Sequence, residues 1–148
     1  MTLSLYLDCC VIQRPFDDRT QLRVATEAEA VLKLIELFEA GKLRLFSSGA
    51  LLFEVTQIQT AARQDYCLEL LGRCSDFIEF TDAIGERANN YSAEGIKSMD
   101  ALHLASAVAG KAKYFCSCDD RFLRRAKTVE TGLTQVVSVL DLAESLKL

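Results

Sequence analysis

Leu3-Ser4-Leu5-Tyr6-Leu7-Asp8 is an apolar run that stops on a carboxylate. Leu3 to Leu7 is too short for a helix, and Arg14-Pro15, which neither a central strand nor a helix readily contains, follows a few residues later. The segment therefore reads as a first strand with an acid at its carboxyl end. The same pattern returns late in the chain, where Tyr114-Phe115-Cys116-Ser117-Cys118 reads as a strand ending on Asp119.

Between these strands, helical and extended signals alternate. From Thr20 to Ala40 the apolar positions Leu22, Ala25, Ala28, Val31, Leu32, Ile35 and Phe38 recur at three and four residues, and Gly41 supplies a left-handed stop. Leu43 to Phe46 predicts a second strand, and Ser47 or Ser48 can cap a helix that carries Glu54 near its second turn. A helix through Tyr66 to Leu71 precedes a third strand at Phe77 to Phe80, after which Thr81 or Asp82 caps a helix closed by Gly95. Ser98 is the expected cap of the next helix, with Asp100 in its first turn, where the helix dipole favours negative charge. Val136 to Val139 predicts a last strand before a C-terminal helix.

Strands separated by helices imply right-handed crossovers and a parallel sheet covered on both faces. The expected fold is one domain over residues 1–148, a three-layer α/β/α sandwich around a mainly parallel sheet of four to five strands. A chain of 148 residues suffices for one such core. Half the residues are hydrophobic and a single Pro is present, which describes an ordinary globular chain rather than a disordered one. No basic segment followed by a long apolar stretch opens the sequence, and no window approaches a membrane span, so a cytoplasmic protein without a membrane partner is expected. In that compartment Cys9, Cys10, Cys67, Cys74, Cys116 and Cys118 read as reduced thiols. A zinc site built from Cys9, Cys10, Cys116, Cys118 and His103 fits no known ribbon or finger spacing.

In a parallel sheet, Asp8 and Asp119 leave the same edge, and Glu54 and Asp100 sit in early turns of helices that start there. All four acids can then converge on a hard cation such as Mg2+ or Mn2+, which suits phosphodiester hydrolysis. Singly, each acid has a plainer reading: Asp8 as a turn residue, Glu54 as surface, Asp100 as a first-turn charge, Asp119 as a helix cap. The formal charge of −4 argues against a molecule coated in positive potential, but Lys111, Lys113, Arg121, Arg124, Arg125 and Lys127 crowd the segment around Asp119. That segment is either a solvated helix face or a surface for phosphates, with Arg121 and Arg125 four apart on one side.

Leu7-Asp8-Cys9-Cys10-Val11, Ser48 through Glu54, Met99 through Ala105 and Ser117 through Phe122 resemble the four motifs of the PIN-domain nucleases, over nearly the whole chain. Within that family the chain is similar to a group with the loop Arg14-Pro15-Phe16-Asp17-Asp18 after the first strand. The resemblance implies an endoribonuclease dependent on Mg2+ or Mn2+, acting on single-stranded or structured RNA, often the VapC-like toxin of a toxin–antitoxin pair and often a homodimer. It makes Asp8, Glu54, Asp100 and Asp119 the catalytic and metal-binding acids and Ser117 the hydroxyl that steadies the last acidic loop. Asp120 is the weaker of the late acidic pair, and His103, three residues after Asp100, joins Arg121 and Arg125 among residues that support the site or touch substrate. The chain departs from the family at Cys9 and Cys10, where Thr followed by Asn or Ser is usual, and a thiol is a poorer hydrogen-bond partner. A phosphatase with an Asp-x-Asp nucleophile is excluded by Cys10, and a receiver domain by the late position of the acidic pair. A non-catalytic RNA- or protein-binding module on the same fold is the remaining alternative.

Overall fold

The computed structural model describes residues 2–148. Strand β1 (Leu3–Leu7) lies at the centre of a five-stranded sheet with β2 (Leu43–Ser48), β3 (Asp76–Ile78), β4 (Tyr114–Ser117) and β5 (Gln135–Ser138), in the order β3-β2-β1-β4-β5. Every neighbouring pair is parallel. Leu5, Tyr6 and Leu7 are all buried, so alternate side chains of the central strand meet protein on both faces. The covering helices fall into two groups. Helix α2 (Leu22–Glu39) packs on α8 (Val139–Leu146), whereas α3 (Gly49–Thr56) packs on α4 (Ala61–Arg73) and on α6 (Ser98–Ala109), and α6 in turn on α5 (Asp82–Ala93). The short helices α1 (Cys9–Gln13) and α7 (Asp120–Ala126) follow β1 and β4 directly.

The expected parallel α/β sheet is therefore present, and its elements differ from expectation mainly at their ends. The third strand stops at Ile78 because its only partner, β2, ends at Ser48, opposite Ile78; Phe80 consequently projects into solvent. In the same way β4 stops at Ser117, opposite Ser138, the last residue of β5. Val139 belongs to α8 because Ser138 caps that helix, accepting the Asp141 N–H at 3.1 Å. Ser48 caps α3 and Thr81 caps α5, each through its hydroxyl. Lys97, not Ser98, occupies the cap position of α6 and offers no side-chain acceptor. Gly41 and Gly95 adopt positive φ where their helices stop.

Two larger differences concern the N-terminal third. The stretch after Asp8 is helical at once, through α1, and Arg14–Phe16 forms one 3-10 turn with Pro at its start. The inward face of α2 keeps Ala28, Val31 and Ile35 of the expected periodicity but extends to Ala30, Leu34 and the carboxylate of Glu27, while Leu22 is 83% exposed. Glu27 tolerates burial because the guanidinium groups of Arg14 and Arg23 reach it at 3.2 and 3.4 Å. All six cysteines are free thiols, with Cys9, Cys67, Cys116 and Cys118 buried. Among the described residues no helix is long and apolar enough to cross a membrane.

The end of α6 lies tightly against β3. A Cβ added at Gly110 would stand 2.6 Å from the Ile78 Cδ1 and 2.9 Å from its Cγ1. Gly110→Ala should overpack this contact and lower stability by about 1–3 kcal/mol, read from urea unfolding. Adding Ile78→Val should recover part of the loss; strict additivity of the two changes would show that they do not meet.

Candidate metal centre

The strand order reverses at β1: the chain winds outward through β2 and β3, then returns to the other side of β1 with β4 and β5. Ligand sites of open α/β sheets form at such a switch point, beyond the carboxyl ends of the strands. Asp8 and Asp119 stand there. Leu7 pairs with Cys116, and the Asp8 N–H extends the ladder to the Cys116 carbonyl at 3.0 Å, so the two chain exits are side by side. Asp8 caps α1, with Oδ1 accepting the Cys9 N–H at 2.8 Å. Asp119 caps α7, its Oδ1 accepting the N–H groups of Arg121 and Phe122.

Ser117 links the two caps. Its hydroxyl donates to Asp8 Oδ2 at 3.3 Å and accepts the Asp119 N–H at 3.1 Å. The Cys10 thiol also reaches Asp8 Oδ2, at a long 3.6 Å. Phe122 turns inward and packs on Phe115 with ring centroids 5.3 Å apart, which fixes the first turn of α7 against the sheet.

Glu54 enters from α3, where capping by Ser48 orients the helix. Its Oε1 lies 2.5 Å from His103 Nε2, and the other ring nitrogen of His103 lies 2.7 Å from the Tyr6 hydroxyl. His103 is wholly inaccessible. Ligand atoms of Asp8, Glu54 and His103 all lie within 4.8 Å of one another, the only such group of three or more His, Cys, Asp or Glu side chains among the described residues. The cysteines form no comparable group.

Asp100 projects from the first turn of α6 into a cavity of about 70 Å³ shared with Asp119 and lined by Gly95, Ile96, Lys97, Arg121, Phe122 and Arg125. That is room for a few water molecules. Its carboxyl is pushed up to about 6, first by burial and then by the charges of Asp8 and Asp119, with His103 opposing and Glu54 adding to the rise. The Asp8 carboxyl is likewise raised, chiefly by burial. The charges of Asp8, Asp119 and Glu54 thus all bear on the half-buried Asp100 carboxyl. Among the described residues none of Asp8, Asp100 and Asp119 has a Lys or Arg partner, and Glu54 pairs only with His103. The donor set fits a hard divalent cation: oxygen-rich, negatively charged and lacking a protein counter-ion.

Asp120 stands apart from this group. It faces solvent and receives a two-pronged contact from Arg23 of α2, both nitrogens at 2.7 Å. Arg121 and Arg125 line the mouth of the cavity, with the Arg125 guanidinium lying over Gly95, where a Cβ would come within 2.8 Å of it. Sequence reasoning missed Lys97 at this mouth, and it missed Tyr6 and Ser48 beneath Glu54. Tyr6 carried only a strand signal and Ser48 only a capping signal; Tyr6 meets His103 across 97 residues and Ser48 across 42.

The arrangement is a parallel α/β sheet with acidic side chains gathered at its switch point. The sequence matches the model of the PIN domain over residues 5–128, and the chain belongs to that family. PIN domains are generally nucleases that use divalent metals. The fold is also similar to a chain in the crystal structure of VapBC2 from Rickettsia felis bound to a DNA fragment from their promoter: TM-score 0.58, 14% identity, 92% of this chain and 98% of that one covered. No curated protein matches the sequence significantly.

The raised carboxyl of Asp100 sets a pH signature for the metal-free protein. A group whose folded-state value rises from 3.8 to about 6 binds more protons folded than unfolded, so stability falls as pH increases through that window. Asp100→Asn removes the titration. Between about pH 4 and 6 the thermal midpoint of wild type should drop relative to this variant, leaving the variant more stable at pH 7 in chelator. Parallel melting profiles would contradict the assignment.

Proposed function

We propose that this protein is a divalent-metal-dependent endoribonuclease that hydrolyses phosphodiester bonds of single-stranded RNA, and that it acts as the VapC-like toxin of a toxin–antitoxin pair. The observation that carries the catalytic reading is that Asp8, Glu54 and Asp119 all come near enough for their charges to act on the half-buried Asp100 carboxyl, and that among the described residues none of the four is ion-paired with Lys or Arg. Like charges so arranged are disfavoured unless a proton or a cation joins them. Mg2+ or Mn2+ bound there would polarise a phosphoryl oxygen and acidify a water. The protein's own part is positional. Ser117 holds Asp8 and Asp119 at a set spacing, α7 fixes Asp119 through two N–H groups, and Lys97, Arg121 and Arg125 offer positive charge to a phosphate at the mouth of the same cavity.

The partner reading has separate support. The fold likeness to a chain of VapBC2, a protein crystallised with promoter DNA, motivates an antitoxin partner and, with it, the homodimer and cytoplasmic location of a bacterial-type toxin. Arg14 to Asp18 supports placement in the subgroup with that loop, since the segment is locked by Arg14 on Asp17 and by Arg63 on both Asp17 and the Phe16 carbonyl. One observation favours the alternative of a weakly active RNA- or protein-binding module: the long thiol contact from Cys10 to Asp8.

Cleavage of single-stranded RNA by purified protein, with Mn2+, with Mg2+ and with excess chelator, separates the two readings. Activity should require the cation, and Asp8→Asn, Asp100→Asn and Asp119→Asn should each lower it on the order of 100-fold or more with the fold retained. Cleavage undiminished in chelator, or by Asp100→Asn, would rule out the metal mechanism.

The double change Arg121→Ala and Arg125→Ala tests the substrate path. Each lost phosphate contact should flatten the log–log salt dependence of RNA binding by about 0.7, or about 1.4 for the pair. Both side chains are exposed, so the thermal midpoint should hardly move. An unchanged slope and affinity would move the RNA elsewhere on the surface.

A further inference from the structure

Beneath Glu54 lies a chain of buried polar groups that the carboxylate cluster does not account for. Ser48 Oγ lies 2.7 Å from Tyr6 Oη, Tyr6 Oη lies 2.7 Å from His103 Nδ1, and His103 Nε2 lies 2.5 Å from Glu54 Oε1. Ser48, Tyr6 and His103 are each inaccessible to solvent. Three polar side chains placed in a core on a line ending at a candidate metal ligand are costly to bury unless every donor and acceptor is used.

Counting protons decides how the chain runs. Ser48 Oγ already accepts the Leu51 N–H at 3.0 Å, and its own proton has one neighbour to receive it among the described residues, Tyr6 Oη. Tyr6 then donates to His103 Nδ1, which must be the bare nitrogen of a neutral ring. The ring proton therefore sits on Nε2 and is donated to Glu54 Oε1. Run in the other direction, the Ser48 proton has no acceptor, and a bare Nε2 lone pair faces a carboxylate oxygen at 2.5 Å. Only the first direction uses each donor once.

We infer that Ser48, Tyr6 and His103 form a one-directional hydrogen-bond chain that fixes His103 as its Nε2–H tautomer and positions Glu54, occupying one carboxylate oxygen and presenting the other to the metal. Its catalytic consequence rests on the nuclease reading; its tautomer does not. The ring itself is held in place: Tyr6 stacks on Phe115 with centroids 5.2 Å apart and meets the His103 ring edge-on at 5.8 Å. His103 and Tyr6 are in this account positioning residues, acting on the cation only through Glu54. A donor held this way orients a carboxylate ligand as a hydrogen-bonded partner orients a ligating imidazole, and loss of such support commonly costs 10- to 100-fold in metal affinity.

His103 is the only histidine of the chain, so its imidazole can be observed alone. Long-range 1H–15N spectra of metal-free wild type should show a protonated-type Nε2 and a bare Nδ1, and saturating Mg2+ should leave the Nε2 proton in place. Calorimetric Mn2+ binding should weaken by roughly 10-fold or more in Tyr6→Phe, which keeps the ring stack, and in His103→Leu. His103→Gln, which restores an N–H donor, should bind more tightly than His103→Leu. A proton on Nδ1, loss of the Nε2 proton on adding Mg2+, which would make His103 itself a ligand, or wild-type Mn2+ affinity in both Tyr6→Phe and His103→Leu would each overturn the inference. The two readings fail separately. Wild type with the expected tautomer that neither binds Mn2+ nor cuts RNA defeats the nuclease reading, whereas the wrong tautomer in an active enzyme defeats the relay alone.

Discussion

The Asp8 carboxylate is buried at the carboxyl end of the central strand, where burial and the charge of Glu54 both raise the free energy of its ionised form. Around it the neighbouring groups supply partial compensation. The Cys9 N–H and the Ser117 hydroxyl donate to it. None of these carries the full positive charge that a buried carboxylate calls for. The Asp100 carboxyl is raised as well, first by burial and then by the charges of Asp8 and Asp119.

Several acids outside the centre do have arginine partners. Asp17 has Arg14 and Arg63, Glu27 has Arg14 and Arg23, Glu39 has Arg73, Asp76 has Arg44 and Asp120 has Arg23. Glu27 is as buried as Asp8, yet it is served by two guanidinium groups. The fold therefore has arginines available for buried acids and does not direct them to the switch point. Arginine does approach the site, but from the rim: Arg121 and Arg125 face the cavity mouth with Lys97, on the side open to a polyanion. Negative charge at the floor and positive charge at the lip is an arrangement for holding a cation below and a phosphate above.

Asp8, Asp100, Asp119 and Glu54 were visible in the sequence because each ends a short apolar run or follows a helix start, and the alternation of strands and helices was enough to imply a parallel sheet. Ser117 was named only through the resemblance to the PIN-domain motifs, since in the sequence it is one residue of a strand read to Cys118. What remained hidden was partnership across distance. Nothing local to Asp120 announces Arg23, 97 positions away, and nothing local to His103 announces that its ring is sealed beneath Glu54 with Tyr6 against it.

The sequence by itself determined the period of each element and the chemical character of its ends, since those depend on neighbours within about four residues. It therefore gave the alternation of strands and helices and Asp119 as a helix cap, but not the cap formed by Asp8. The tertiary structure alone decided where strands stop, because β3 and β4 end when their partners do, and that Glu27 joins Ala28, Val31 and Ile35 on the inward face of α2, where Arg14 and Arg23 reach its carboxylate. It alone decided the direction of the Ser48–Tyr6–His103 chain, because a buried proton must find an acceptor and only the folded neighbourhood says which acceptors remain.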